Sequence, residues 1–201
     1  MNESGIAADV IETPDTKDFF YPPGGILLWI IILLELFTFG IAIVIFMYSA
    51  GQERAVFETS AQQLNITIGS INTVVLLTSG YCMAKCVHLF RRGEVTRSKK
   101  QLLATLILGL VFMVLKAVEY EHKATEGLTL GTNTYFDFYW MLTGFHLVHV
   151  ATGMVILLWW NVTMQRKPQG EALGNLEAGA AFWHLCDLIW LLLFPVLYLI
   201  F

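Results

Sequence analysis

The stretch Tyr135–Trp160, YFDFYWMLTGFHLVHVATGMVILLWW, decides how this chain is read. It is apolar and longer than the ~20 residues needed to cross the hydrocarbon core of a bilayer. His146 and His149 nevertheless sit near its middle. An imidazole at that depth is costly unless it faces other protein groups or water, so intramembrane ionisable residues are functional-site candidates.

The rest of the composition agrees with a membrane setting. Of 201 residues, 56% are hydrophobic and 14% charged, against roughly a quarter charged in soluble proteins. The net charge of −4 says less than its distribution, because long stretches are almost free of charge. The one basic cluster is a short connection beside a helix, which gives no nucleic-acid signature. Cys82, Cys86 and Cys186 all lie in apolar segments. An odd number in lipid-spanning helices argues against a disulfide framework. The one-turn spacing of Cys82 and Cys86 invites a metal reading, but buried free cysteines pack as small hydrophobes.

Residues 1–24 are predicted to form an acidic cytoplasmic tail, and the basic region of a signal peptide is missing. Tyr21-Pro22-Pro23-Gly24-Gly25 marks the entry to the membrane. Residues 25–201 are predicted to be a bundle with spans near 26–48, 68–90, 102–120, 136–160 and 178–201. Lipid offers no partner to exposed backbone groups, so each span is a helix. With five spans, Arg91, Arg92, Arg97, Lys99, Lys100, Arg166, Lys167 and Lys17 fall on one side. Only Arg54 and Lys123 fall on the other. The positive-inside rule then puts the N-terminus in the cytoplasm and the C-terminus outside.

A rise of ~1.5 Å per residue converts this topology into depths. Glu35, His149, His184 and Asp187 share a layer in the inner half of the bilayer, with His146 near mid-membrane. Glu177 caps that layer and lies two turns before His184, on the same face. A second layer lies near the outer surface, where Lys116 and Glu119 are spaced to pair and Asp137 is at similar depth. Bland readings stand beside each. His146 and His149 can simply bond helices together, since a metal site needs three or four supported ligands. Glu35 can be a protonated carboxyl bonded to a neighbouring helix, or a proton-linked or partner-facing one. Lys116–Glu119 reads as a structural ion pair. Lys85, near the cytoplasmic end, is expected to snorkel. Small residues, including Gly40, Gly69, Ser79, Gly80, Gly109, Gly144 and Gly153, mark where helices can approach closely.

Five motifs, one per span, carry a resemblance. Leu34-Glu35-Leu36-Phe37-Thr38-Phe39-Gly40 opens the series. Asn72-Thr73-Val74-Val75-Leu76-Leu77-Thr78-Ser79-Gly80 follows, with His88 beyond it, and then Leu108-Gly109…Phe112…Glu119-Tyr120. Thr143-Gly144-Phe145-His146-Leu147-Val148-His149-Val150 and Glu177-Ala178…Trp183-His184-Leu185-Cys186-Asp187-Leu188-Ile189-Trp190 complete it. In order, across residues 22–201, they resemble subunit III of the haem–copper respiratory oxidases. Two features depart from the family. Longer members have seven helices, of which this chain looks like the last five, and Lys116 stands where many have Gln.

The resemblance implies a subunit without haem, copper or catalytic residues. It would pack on the catalytic haem-containing subunit I and other oxidase subunits, which hold the haem and copper, bind phospholipid between its helices, and support assembly and proton uptake. Five histidines, at 88, 122, 146, 149 and 184, are too few and too scattered for the catalytic subunit's set. Glu35, His149, His184 and Asp187 are expected to lock the bundle through one buried polar network, in which every member must be satisfied. Short five-helix members also occur as accessory proteins of nitric oxide reductase in denitrification, and the length and the Lys116/Glu119 pair lean that way. Other classes also stay open. One is a membrane metalloenzyme using His146, His149, His184 and a carboxylate; another is a small proton-coupled transporter using Glu35 and Lys116.

Overall fold

The computed structural model describes residues 24–163 and 169–201. In chain order the helices are α1 (Gly25–Gln52), α2 (Arg54–Ala61), α3 (Ile66–Arg91), α4 (Val95–Thr125), α5 (Thr134–Thr163) and α6 (Gln169–Tyr198). Five of the six are long and apolar enough to cross a membrane, as the sequence predicts. The acidic tail up to residue 23, and Arg166 and Lys167, lie outside the described residues.

The helices overrun the predicted spans, because hydropathy marks only the part that needs lipid. The connection expected over 91–101 shrinks to a turn at Arg92-Gly93-Glu94, and helix resumes at Val95. Gly93 takes φ +77° there, a left-handed conformation that costs glycine little. The polar run that follows contains nothing that breaks a helix. The last helix likewise starts at 169 rather than 178 and ends at Tyr198. At the N-terminus of α3, the Asn65 side chain accepts a hydrogen bond from Ile68 N at 3.1 Å, a standard N-cap.

α2 lies in what reads from the sequence as a plain connection between spans. It is too short and too polar to span, and it is held by Phe57 and by Ser60, whose Oγ accepts from Asn133 Nδ2 at 2.9 Å. Phe57 is fully buried, with ring centroids 5.1 Å from Phe46, 5.5 Å from Tyr135 and 5.8 Å from Phe201.

α3 and α4 make the most extensive pair, and α6 packs into the angle between α3 and α5. Indole and hydroxyl groups bond across these contacts. Ser79 Oγ donates to Thr105 O at 2.9 Å and accepts from Trp183 Nε1 at 3.2 Å. Trp190 Nε1 donates to Thr73 Oγ1 at 3.0 Å. The Trp183 ring lies in a slot between Gly109 and Gly153, where an added Cβ would stand 2.8 and 3.0 Å from it. Gly40 and Gly144 face open space instead, so they are not helix-contact positions within this chain. α1 is the least covered span and α6 the most buried. Outward positions such as Leu27, Phe37, Val44, Val148 and Val155 are apolar, as a lipid or partner surface requires.

Candidate functional site: buried polar clusters

Two clusters lie in the half of the bundle where the sequence predicts an inner layer. Their separation is the main correction to that prediction. Glu35 on α1 places Oε2 3.3 Å from His149 Nε2 on α5. The contact is within ion-pair reach but not aligned as a hydrogen bond, and Glu35 Oε2 is otherwise unpartnered. His149 Nδ1 lies 2.8 Å from Phe145 O. A carbonyl can only accept, so Nδ1 carries a proton and Nε2 faces the carboxyl. Phe39 and Phe145 hold the ring edge-on at 5.8 and 4.6 Å, and Phe182 lies parallel to it at 6.3 Å.

His184 is exposed, not buried as the sequence predicts, and pairs with Asp187 on its own helix, Nδ1 to Oδ2 at 3.2 Å. Asp187 lies against Gly80 of α3, where an added Cβ would collide with Oδ2. Among the described residues, no hydrogen bond or ion pair joins this pair to Glu35–His149. The four residues form two pairs, not one network. Glu177 accepts from Arg91 Nε at 2.9 Å and so ties α6 to the end of α3. Glu177 and His184 do share a groove of about 340 Å³, also lined by Trp29, His88 and Arg91.

The third cluster is the most fully bonded. Lys116 and Glu119 are both buried and lie 3.2 Å apart. Lys116 Nζ also donates to Tyr139 Oη at 3.0 Å and Tyr198 Oη at 2.8 Å. Both phenols donate in turn to Glu119 Oε1, at 2.6 and 2.5 Å. The ammonium's three protons thus meet three acceptors. Its charge also stands over the Tyr139 and Trp190 rings, 4.7 and 5.4 Å from their centroids. One turn away, Tyr120 Oη donates to Thr143 Oγ1 at 2.8 Å. Asp137 does not join this cluster; it accepts from Gly131 N at 2.6 Å in the preceding connection.

Sequence reasoning missed Tyr139 and Tyr198, because it ranked charges by depth and left out phenols on facing helices. A tyrosine one or two turns from the end of a span, opposite a buried ion pair, is the signal that would find them.

His146 departs from its expected role of bonding helices. It is fully buried, and neither ring nitrogen has a partner among the described residues. It packs on Trp190, at 5.4 Å, and edge-on to Phe112, at 5.8 Å. Asn72 is also fully buried with both amide atoms unpartnered, whereas its neighbour Thr73 is bonded. His146, His149 and His184 therefore face three different environments. No group of three or more His, Cys, Asp or Glu among the described residues could hold a metal ion. Glu35 and Lys116, paired in the transporter reading, belong to separate clusters.

The family model for cytochrome c oxidase subunit III matches residues 25–200. A Mycobacterium leprae protein named "Probable cytochrome c oxidase subunit 3" is 31% identical over 140 residues, 69% of each chain. A Corynebacterium diphtheriae cytochrome c oxidase subunit 3 is 28% identical over 148 residues, 72% of this chain and 71% of that one. A Staphylococcus aureus protein named "Probable quinol oxidase subunit 3" is 27% identical over 179 residues, 86% of each. With the five motifs on five packed helices, these matches show that the chain belongs to the cytochrome c oxidase subunit III family and is a subunit III-like component of a haem–copper oxidase.

Proposed function

We propose that this chain is the non-redox, structural and modulatory subunit of a respiratory oxidase in a bacterial cytoplasmic membrane. Its N-terminus lies in the cytoplasm, and it packs on the catalytic haem-containing subunit. The observation that carries this reading is the destination of the polar groups. The Lys116 quartet and the Trp183 and Trp190 hydrogen bonds join helices, and Asp187, paired with His184 on α6, packs against Gly80 of α3. Glu35, on the least covered span, is partly exposed, and its Oε2 makes no hydrogen bond among the described residues. It is the residue we assign to the contact with the catalytic subunit or with lipid.

Phospholipid fits the same reading. A groove of about 340 Å³ between α1, α5 and α6 is lined by Leu28, Trp159, Gly179 and Phe182, apolar enough for an acyl chain. A role in proton uptake would act through the protein it packs against. No observation here favours the nitric oxide reductase branch over the oxidase.

The test is copurification from native membranes. The chain should come down with haem-containing oxidase subunits. His149→Ala or His184→Ala should lower the amount of assembled complex more than the turnover of the complex that remains. Normal assembly with abolished turnover would overturn the structural role.

A further inference from the structure

Lys85, expected from its sequence position to snorkel, lies beside Tyr81, one turn toward the N-terminus of its helix. The Cα–Cβ bonds of a helix tilt toward its N-terminus. The C-terminus of α3 is the membrane boundary, marked by Arg91, Arg92 and the basic turn that follows. A lysine just inside that end is therefore aimed into the bilayer. In the structure Lys85 Nζ lies 6.0 Å from the ring centroid of Tyr81, one turn toward the N-terminus of α3. At ~1.5 Å per residue, Lys85 and Tyr81 stand about 9 and 15 Å from Arg91 along the helix.

Both side chains are on the outside of the bundle. Tyr81 is 66% exposed and Lys85 is exposed. The ring contact is the one described interaction of the ammonium, which has no carboxylate within reach among the described residues. The neighbouring exposed polar group differs, since Thr78 Oγ1 donates to Val74 O and satisfies itself. On the far side of Tyr81 the outward positions Ile71, Val74 and Leu77 are apolar, while His88, one turn beyond Lys85 toward the boundary, is also exposed. One face of α3 thus presents an apolar ridge ending in an unpaired charge and a phenol at bilayer depth.

We propose that this face docks against a transmembrane helix of another oxidase subunit, and that the partner helix presents an Asp or Glu carboxylate to Lys85. Charge complementarity selects this occupant. A buried ammonium needs an anion or strong acceptors, which acyl chains do not supply, and an apolar helix needs only apolar contact with the ridge. A second copy of this chain would set two ammonium groups against each other about a two-fold axis. The inference rests on the membership in an oxidase complex argued above and adds the surface and its chemistry.

The experiment uses the assembled complex in native membranes. A photoreactive p-benzoylphenylalanine at position 85 should cross-link to another oxidase subunit, at a peptide containing Asp or Glu. On detergent washing, Lys85→Met should release the subunit several-fold more readily than wild type, while Lys85→Arg should be retained. Cross-linking to lipid alone, cross-linking to a second copy, or wild-type retention of Lys85→Met overturns the docking surface while leaving the proposed function standing. Failure of the wild-type chain to copurify with any haem-containing subunit overturns both.

Discussion

The carboxylate of Asp187 occupies the space that a side chain at Gly80 would fill, and this fixes the distance between α3 and α6. Asp187 Oδ2 takes His184 as its partner from that position, while Oδ1 has none among the described residues. The Ser79-Gly80 pair therefore has two functions. The serine bonds Trp183, and the glycine makes room for the aspartate.

Gly80→Ala should force these helices apart or displace the carboxylate, at about 1–3 kcal/mol, the usual cost of overpacking. Asp187→Ala in the Gly80→Ala background should recover most of that loss. Thermal unfolding of the four variants of the cycle checks this. Additive losses would mean that the two positions do not share one space.

The Lys116–Glu119 pair should be costly to break and cheap to replace. Lys116→Met leaves a buried carboxylate without its counter-charge, which costs about 3–5 kcal/mol. The double variant Lys116→Met/Glu119→Gln removes both charges and should be markedly less destabilised than Lys116→Met alone. Tyr198→Phe removes one donor to Glu119 and one acceptor for Lys116, and should cost about 1–3 kcal/mol. Denaturation of the purified subunit in detergent measures all three.

His146 and Asn72 should respond in the opposite way from these bonded groups. Neither makes a hydrogen bond among the described residues, so their replacement loses none. Asn72→Leu and His146→Leu should each change stability by no more than about 1 kcal/mol, or raise it. A loss of several kcal/mol in thermal unfolding would show that these side chains have partners.

Outside the spans, acid should loosen the connection that follows α4. Lys123 Nζ donates to Glu126 Oε2 at 2.7 Å and to Gln63 O at 2.6 Å. The hydrogen bond from Lys123 is the first cause holding the Glu126 carboxyl below its usual range. A carboxyl lowered by folding stabilises above its unfolded pKa of about 4.3. That contribution is lost as pH falls through the lower, folded value. Backbone hydrogen exchange around Gln63 and Glu126 should therefore quicken below about pH 4, beyond the intrinsic pH trend. Glu126→Gln should abolish the additional pH dependence.

The sequence by itself determined the class, the number of spans and the family. Each follows from one-dimensional information: the length of apolar runs, and motifs such as Thr143-Gly144-Phe145-His146 in fixed order. It also determined Lys116–Glu119, because residues three apart on a helix are neighbours whatever surrounds them. Depth counting placed Glu35 and His149 at one level, and they do meet. Depth is only one of three coordinates, however. Which way each helix faces depends on how all five pack. That alone decided that His146 lies between aromatic rings, that Asp137 stays outside the Lys116 cluster, and that Tyr139 and Tyr198 complete it.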